Sequence, residues 1–465
     1  MKMVRTLVAG LTGLALLTGC SSWGAGRQNM AENAGTAVTA VTHFTLIDGT
    51  GAPAIDDAAL LIRDGQINWV GQSSGLDLPE GARILDLTGK FVMPGLIDNH
   101  VHLGRVHGLE LDDRHYTPEN VRNQLELYAA YGVTTVQSLG TDEAVTFQVR
   151  ENARDRPGSM SRVFTSGLGV VYDGGYGGLP GLRQRVSTAE QAQELVAAQK
   201  ARGADVIKLW LDDGFGDIPQ LMPYEISKAV IDEAHENGLK VAAHIYYLDH
   251  ARELMKQGLD AYGHEIRDRP IDAAFVAEMK EKGVWQMAAT LSREAGFAYA
   301  QLPFLDDPFF SRGVTPEVVT ELKSAEHERS TAAAPHFAEY YGAFQNAMTN
   351  FGLQANAGVR FGMGSDSGLG LRFPGYAAHW ELALMVEAGV SPLDAITAAT
   401  GDNAEFMRAT QIGTIQPGKM ADLLVLGSNP LEDIRNTRSI ERVYIGGNPV
   451  PTIWQICVGR QSNEC

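Results

Sequence analysis

Two hydrophobic patterns divide the chain. Up to residue 90 the apolar positions come in short runs, Phe44–Ile47, Ala59–Ile62, Ile67–Val70 and Ile84–Leu87, parted by turn pairs such as Asp48-Gly49 and Asp64-Gly65. That rhythm predicts a small sheet with no helix in it. From Phe91 onward apolar runs alternate with amphipathic stretches. Phe91–Ile97, Val133–Ser138, Arg162–Ser166, Val206–Leu211, Lys240–His244, Ala261–Glu265, Val284–Ala289 and Val359–Met363 read as buried strands. Helix starts lie between them: Thr117-Pro118 places an N-cap before a proline at the first helical position, and Ser187 with Glu190 reads as a capping box. Eight strands alternating with helices predict an α/β fold, a (β/α)8 TIM-like barrel. An open doubly wound sheet would need a Gly-rich phosphate turn after its first strand, and none is present.

The tail returns to the first pattern. After Ala409, Ala421–Leu426 and Ile440–Ile445 read as strands expected to pair with the N-terminal ones in a small composite β-sandwich. The expected organisation is therefore residues 37–90 with 411–450 as the sandwich, 91–410 as the barrel and 451–465 as a tail. The long stretch 291–350, which carries Phe297, Tyr299, Phe304, Phe309 and Phe310, is expected to be a helical cover over the substrate mouth, or else a peripheral packing insertion.

The N-terminus obeys neither pattern. Lys2 and Arg5 precede the apolar run Leu7–Leu17, which is shorter than the roughly 20 residues that span a bilayer. The run ends Leu17-Thr18-Gly19-Cys20, which resembles the lipobox of bacterial lipoproteins. The resemblance implies a signal peptide, 1–19, cleavage before Cys20 and lipidation of Cys20. Ser21 and Ser22 then point to the outer membrane facing the periplasm, and 20–36 to a flexible tether, with the lipid as the membrane contact. An ordinary signal peptide is the plainer alternative. In an oxidising compartment the neighbouring Cys457 and Cys465 are expected to form a disulfide. The formal charge of -18 disfavours nucleic acid as a partner. A small-molecule substrate is expected, and oligomeric state is left open.

Chemistry enters at Gly95-Leu96-Ile97-Asp98-Asn99-His100-Val101-His102. Strand alternation places His100 and His102 on one face, where two imidazoles can share a metal ion. Lys208, His244, His264 and Asp366 lie at or near the ends of other expected strands, and the C-terminal face of a barrel is where such enzymes keep their chemistry. Each has a plain explanation alone: a snorkelling lysine, core histidines, an aspartate capping a turn. Together they do not read as coincidence.

This set resembles the amidohydrolase superfamily, with His-x-His on strand 1, Lys on strand 4, His on strands 5 and 6 and Asp on strand 8. The flanking text agrees, from Phe91-Val92-Met93-Pro94-Gly95-Leu96-Ile97-Asp98 to Gly413-Thr414-Ile415-Gln416-Pro417-Gly418-Lys419-Met420-Ala421-Asp422-Leu423. The closest branch is that of imidazolonepropionase-like and Xaa-Pro dipeptidase-like hydrolases. The resemblance implies two divalent metal ions, zinc by expectation, bridged by a carboxylated Lys208. His100, His102 and Asp366 would complete one site, and His244 and His264 the other. It implies a metal-activated hydroxide as nucleophile and Asp366 as the catalytic proton acceptor and donor. The mononuclear deaminases of the superfamily carry a Glu three residues after the strand-5 His; here Tyr247 stands there, which disfavours deamination. Tyr246 matches a tyrosine that binds the substrate carboxylate in the dipeptidase-like relatives, or is an interior packing residue. His107, His115 and Arg372 fall in expected top loops without assigned roles. The implied reaction is hydrolysis of an amide or peptide-like C–N bond in a dipeptide or N-acyl amino acid. Lactone or organophosphate hydrolysis at the same metals, or metal binding without catalysis, are the alternatives.

Overall fold

Gly95 divides what the apolar pattern reads as one strand. Phe91–Pro94 joins a mixed sheet and Leu96–Val101 begins a parallel one. A Cβ at position 95 would sit 2.2 Å from Thr134 Cγ2, so a side chain has no room where the backbone passes between the two sheets. The first parallel strand thus runs later than the expected Phe91–Ile97.

In this computed structural model, residues 38–154, 158–177, 184–456 and 458–459 are described, all within one compact unit, Val38–Cys465. The leader, the tether, Cys20, Cys457 and Cys465 lie outside the described residues.

The mixed sheet takes strands from both ends of the chain. Its order is Asn448–Val450, Ile440–Ile445, Leu423–Leu426, Phe91–Pro94, Thr39–Leu46, Ile55–Arg63 and Gln66–Gln72, with Arg83–Asp86 also on Thr39–Leu46. Leu423–Leu426 runs antiparallel to Phe91–Pro94, so the late strands do pair with the early ones. Strand pairing runs through all of them as one continuous sheet. The reason is Thr39–Leu46, whose first half pairs with Arg83–Asp86 and whose second half pairs with Phe91–Pro94, carrying the hydrogen bonding across. Val41, Phe44, Leu60, Val92, Leu423 and Tyr444 belong to a core of its own.

The parallel strands follow the expected order. Leu96–Val101 pairs with Val133–Gly140, and that with Arg162–Leu168. Ile207–Leu211, Val241–Ile245, Ala261–Tyr262 and Trp285–Gln286 form a second parallel set. Isolated parallel bridges, Val170 to Leu209, Gln286 to Phe361 and Val101 to Ser367, link these pieces. The expected strand Val359–Met363 is absent as a regular strand. Its neighbourhood is tied to Leu96–Val101 by Asn99 N–H to Met363 O (3.0 Å), Asp366 N–H to His100 O and His102 N–H to Ser367 O (both 2.7 Å). The left-handed φ of 54° at Asp366 interrupts the ladder.

Thr117 caps the helix Pro118–Ala130 through Asn120 N–H, as expected. The next expected cap is displaced by one residue. Thr188 accepts from Gln191 N–H, while Gln191 Oε1 accepts from Ser187 N–H. Either hydroxyl can cap, and Thr188 with Gln191 is also a Ser/Thr-x-x-Glu/Gln box. The stretch 291–350 is helical, with Leu291–Ala298, Pro308–Ser311, Pro316–Leu322, Ala325–Ala332 and most of Phe337–Asn356. Phe304, Phe309 and Phe310 are buried in the main core against Tyr376, which ties much of it down as packing.

Candidate metal centre

Strand alternation and the irregular eighth segment bring three side chains together. His100 and His102 leave the end of Leu96–Val101 on one side, and the left-handed turn at Asp366 faces them. Ligand atoms of the three lie within 4.8 Å of one another, and all three residues are buried. Asp366 Oδ1 is 2.7 Å from His102 Nε2 and 3.5 Å from His100 Nε2.

The other expected ligands lie alongside. Lys208, second in its strand, brings Nζ to 3.4 Å from His100 Nε2. His264 has ring centroids 4.8 Å from His100 and 4.3 Å from His244. A Cβ at residue 263 would lie 3.0 Å from Lys208 Nζ, so Gly263 leaves room for the lysine head. Burial, offset in part by Asp366 and reinforced by Arg293 and Arg267, pushes Lys208 down to about 7.

Each imidazole is oriented from behind. His100 Nδ1 donates to Gly263 O at 2.8 Å; a carbonyl only accepts, so Nε2 carries the lone pair. His244 Nε2 donates to Asp212 Oδ2 at 2.7 Å, which leaves Nδ1 as its lone-pair atom. His102 Nδ1 meets Thr141 Oγ1 at 3.1 Å and His264 Nδ1 meets Thr290 Oγ1 at 3.0 Å; a hydroxyl serves either tautomer. Burial holds the rings neutral: His100 and His264 fall well below the usual imidazole range, and His244 to about 4. Burial alone would raise Asp366, but Arg372 and the two imidazoles hold it well below the carboxylate range.

This geometry fits a metal. The lone pair of His100 Nε2 and the carboxylate oxygen of Asp366 face each other with no hydrogen to place between them, an arrangement that a cation relieves. Neutral imidazoles plus a carboxylate are the donor set of a divalent ion such as zinc.

Several residues here escaped sequence reading. Asp212 orients His244, and Thr141 and Thr290 support two further imidazoles. Arg293, from the helix Leu291–Ala298, reaches Asp366 Oδ2 at 2.9 Å. Arg267 lies at 3.0 Å from Glu294 Oε1. Arg372, expected in a top loop, also meets Asp366 Oδ2. Tyr246 is buried, with the Arg267 guanidinium 4.8 Å from its ring centroid, and burial pushes its hydroxyl up to about 12. Tyr247 Oη donates to Asp213 Oδ1 at 2.7 Å. His107 and His115 stack on each other, with His115 on Glu110 at 3.0 Å, and neither joins the metal-ligand group.

The amidohydrolase family model matches residues 91–450. This chain belongs to the amidohydrolase family. It is 26% identical over 463 residues to ochratoxinase from Aspergillus niger, covering 88% of this chain and 86% of that protein. It is 26% identical over 415 residues to imidazolonepropionase from Streptomyces griseus, covering 83% and 92%. A solved Xaa-Pro dipeptidase with bound methionine in its active site superposes with a TM-score of 0.70 at 22% identity, covering 89% of this chain and 99% of that one. The family and the structural likeness make the fold a TIM-barrel-like α/β fold. The chain is an amidohydrolase-family hydrolase acting on C–N bonds, and the family is metal-dependent.

Proposed function

We propose that this amidohydrolase cleaves an amide or peptide-like C–N bond in a small molecule of the dipeptide or N-acyl amino acid type. The observation that carries this is the convergence of His100 Nε2, His102 Nε2 and Asp366 Oδ1 in a buried cluster beside a lysine pushed towards neutrality.

His100, His102 and Asp366 would hold one ion. His244 through Nδ1 and His264 through Nε2, with Lys208 as its carbamate, would hold a second. Both are taken as zinc. When bound, such ions polarise the scissile carbonyl and supply a nucleophile from water at neutral pH. The neutral amine of Lys208 adds CO2, forming an N–C bond and releasing one proton to solvent, and the product is an anionic two-oxygen donor. Asp366, kept ionised by Arg372, accepts the proton of the attacking water and returns it to the departing nitrogen. Tyr246 lines the substrate side. The two parallel strand sets and their bridges we read as one closed eight-stranded barrel around this cluster.

The test is an activity profile of metal-loaded protein on dipeptides and N-acyl amino acids, with lactones and phosphotriesters in parallel. Turnover of amides should dominate; turnover confined to lactones or phosphotriesters, or none at all, would overturn the reading.

We also propose that the chain is anchored in the bacterial outer membrane facing the periplasm by lipid on Cys20, with Cys457 and Cys465 bridged. No helix among the described residues is long and apolar enough to cross a membrane. Cys20→Ala with a cleavable signal should move the protein from membrane to soluble fractions, and unchanged membrane association would refute the anchor.

A further inference from the structure

Two guanidinium groups converge on a single carboxylate oxygen. Arg293 Nε lies 2.9 Å from Asp366 Oδ2, and Arg372 Nη1 meets the same atom. The other oxygen, Oδ1, is turned to His100 and His102. One oxygen is a poor counterpart for two forked cations, each with donors arranged for a planar two-oxygen anion.

The surroundings answer only part of this charge. Arg293 also meets Glu294 Oε1, which Arg267 shares at 3.0 Å. Arg267 is further fixed by Ile245 O at 2.7 Å and Glu265 O at 3.0 Å, so it belongs to the framework. Asp212 is taken by His244. Arg372 has Leu369 O at 2.8 Å from Nε and, among the described residues, pairs with no acid other than Asp366. Both Arg293 and Arg372 lie against Phe297, 5.0 and 5.8 Å from its ring centroid, and their side chains are only 9% and 13% exposed. An aromatic face on one side and little water on the other hold the two forks in place.

We infer that Arg293 and Arg372 form a subsite for a substrate carboxylate lying within a few bonds of the scissile amide. In this structure Asp366 Oδ2 accepts from Arg372 Nη1, while Arg293 Nε, 2.9 Å from the same oxygen, is buried without a hydrogen-bond partner. A metal ion held by Asp366 would draw on its charge, leaving Arg293 only the Glu294 it shares with Arg267 and leaving Arg372 short of an anion. The closeness to Asp366 fixes how far the carboxylate can be from the reacting carbon: an α-carboxylate on the residue that leaves as amine meets that limit. The inference rests on the amide-hydrolase reading and adds the residues that select a free acid over a capped one.

Binding tests it without turnover. Calorimetry on the metal-loaded full chain compares N-benzyl-L-phenylalanine, which carries a methylene where the scissile carbonyl would be, with its carboxamide. The parent should favour the acid by about tenfold or more, as expected for hydrogen bonds to a charged group. In Arg372→Met and Arg293→Met the preference should fall to within about threefold, with carboxamide affinity little changed. Arg372→Lys and Arg293→Lys should keep part of it, and they carry the test if a Met variant loses its metal or its fold. No acid preference in the parent, or an undiminished preference in the variants, overturns the subsite. A parent that selects the acid but cleaves no amide sinks the proposed reaction and leaves the subsite standing; cleavage without selection does the reverse.

Discussion

The two halves of the centre are built differently. On one side His100 and His102 face a carboxylate, so the protein itself supplies the anion that a cation requires. On the other, His244 and His264 face Lys208, and the nearby carboxylate, Asp212, stands behind His244 on the ring atom remote from the lone pair. The first half is complete as a ligand set. Among the described residues the second has no anion on its lone-pair side, and the group nearest to supplying one is a lysine that burial moves towards its neutral form. The contrast makes the carbamate reading specific: it places negative charge where the side chains leave none.

The largest effect is expected where the contrast is sharpest. Asp366→Asn should keep the fold, as judged by circular dichroism, yet lower kcat by about three orders of magnitude or more, since a proton acceptor and a metal ligand go together. Activity within about tenfold of the parent would show that the first half does not work as described.

Lys208→Ala should bind about one divalent ion or none where the parent binds about two, measured by elemental analysis of dialysed protein. Short carboxylic acids should restore part of the activity by filling the vacated bridge. Two equivalents and intact activity in this variant would make the halves alike and remove the carbamate.

A subtler change acts from behind. Asp212→Asn should weaken metal affinity by about 10- to 100-fold, because His244 loses the partner that fixes its tautomer. Chelator competition reads this directly, and unchanged affinity would mean that His244 is not a ligand.

The smallest effect concerns the helix that carries Arg293. Glu381 accepts from Leu291 N–H at 2.9 Å and Ser292 N–H at 2.7 Å, and burial raises it to about 7 despite those bonds. A carboxyl raised in the folded state gives stability that is full below its unfolded value of 4.5 and is lost as pH climbs through about 7. The melting temperature of the parent should therefore lose more than that of Glu381→Gln between pH 5 and pH 8. Parallel curves would assign the titration elsewhere.

Much of this centre was legible in the sequence because strands print their geometry. His100 and His102 are two apart in a strand, Lys208 interrupts an apolar run, and His244 and His264 close two others. Asp366 was legible from its glycine- and serine-rich setting, although not its left-handed backbone. Arg293, Arg267 and Asp212 were not, since charged residues in loops and on a helix look the same in sequence whether they face water or a pocket. Only the closure of the chain decides it. The division at Gly95 escaped for a similar reason: the apolar run continues across it, and the obstacle is Thr134, a residue of the next strand.

The pairing of Leu423–Leu426 with Phe91–Pro94 has a consequence for how the molecule is made. A chain that emerges N-terminus first presents Phe91–Pro94 early, with one edge paired to Thr39–Leu46 and the other bare until nearly the whole polypeptide has appeared. Contacts of such long range delay completion of the fold and leave an apolar strand edge open to wrong partners meanwhile. Truncation shortly before Leu423 should accordingly yield aggregated protein, however intact the residues of the metal centre.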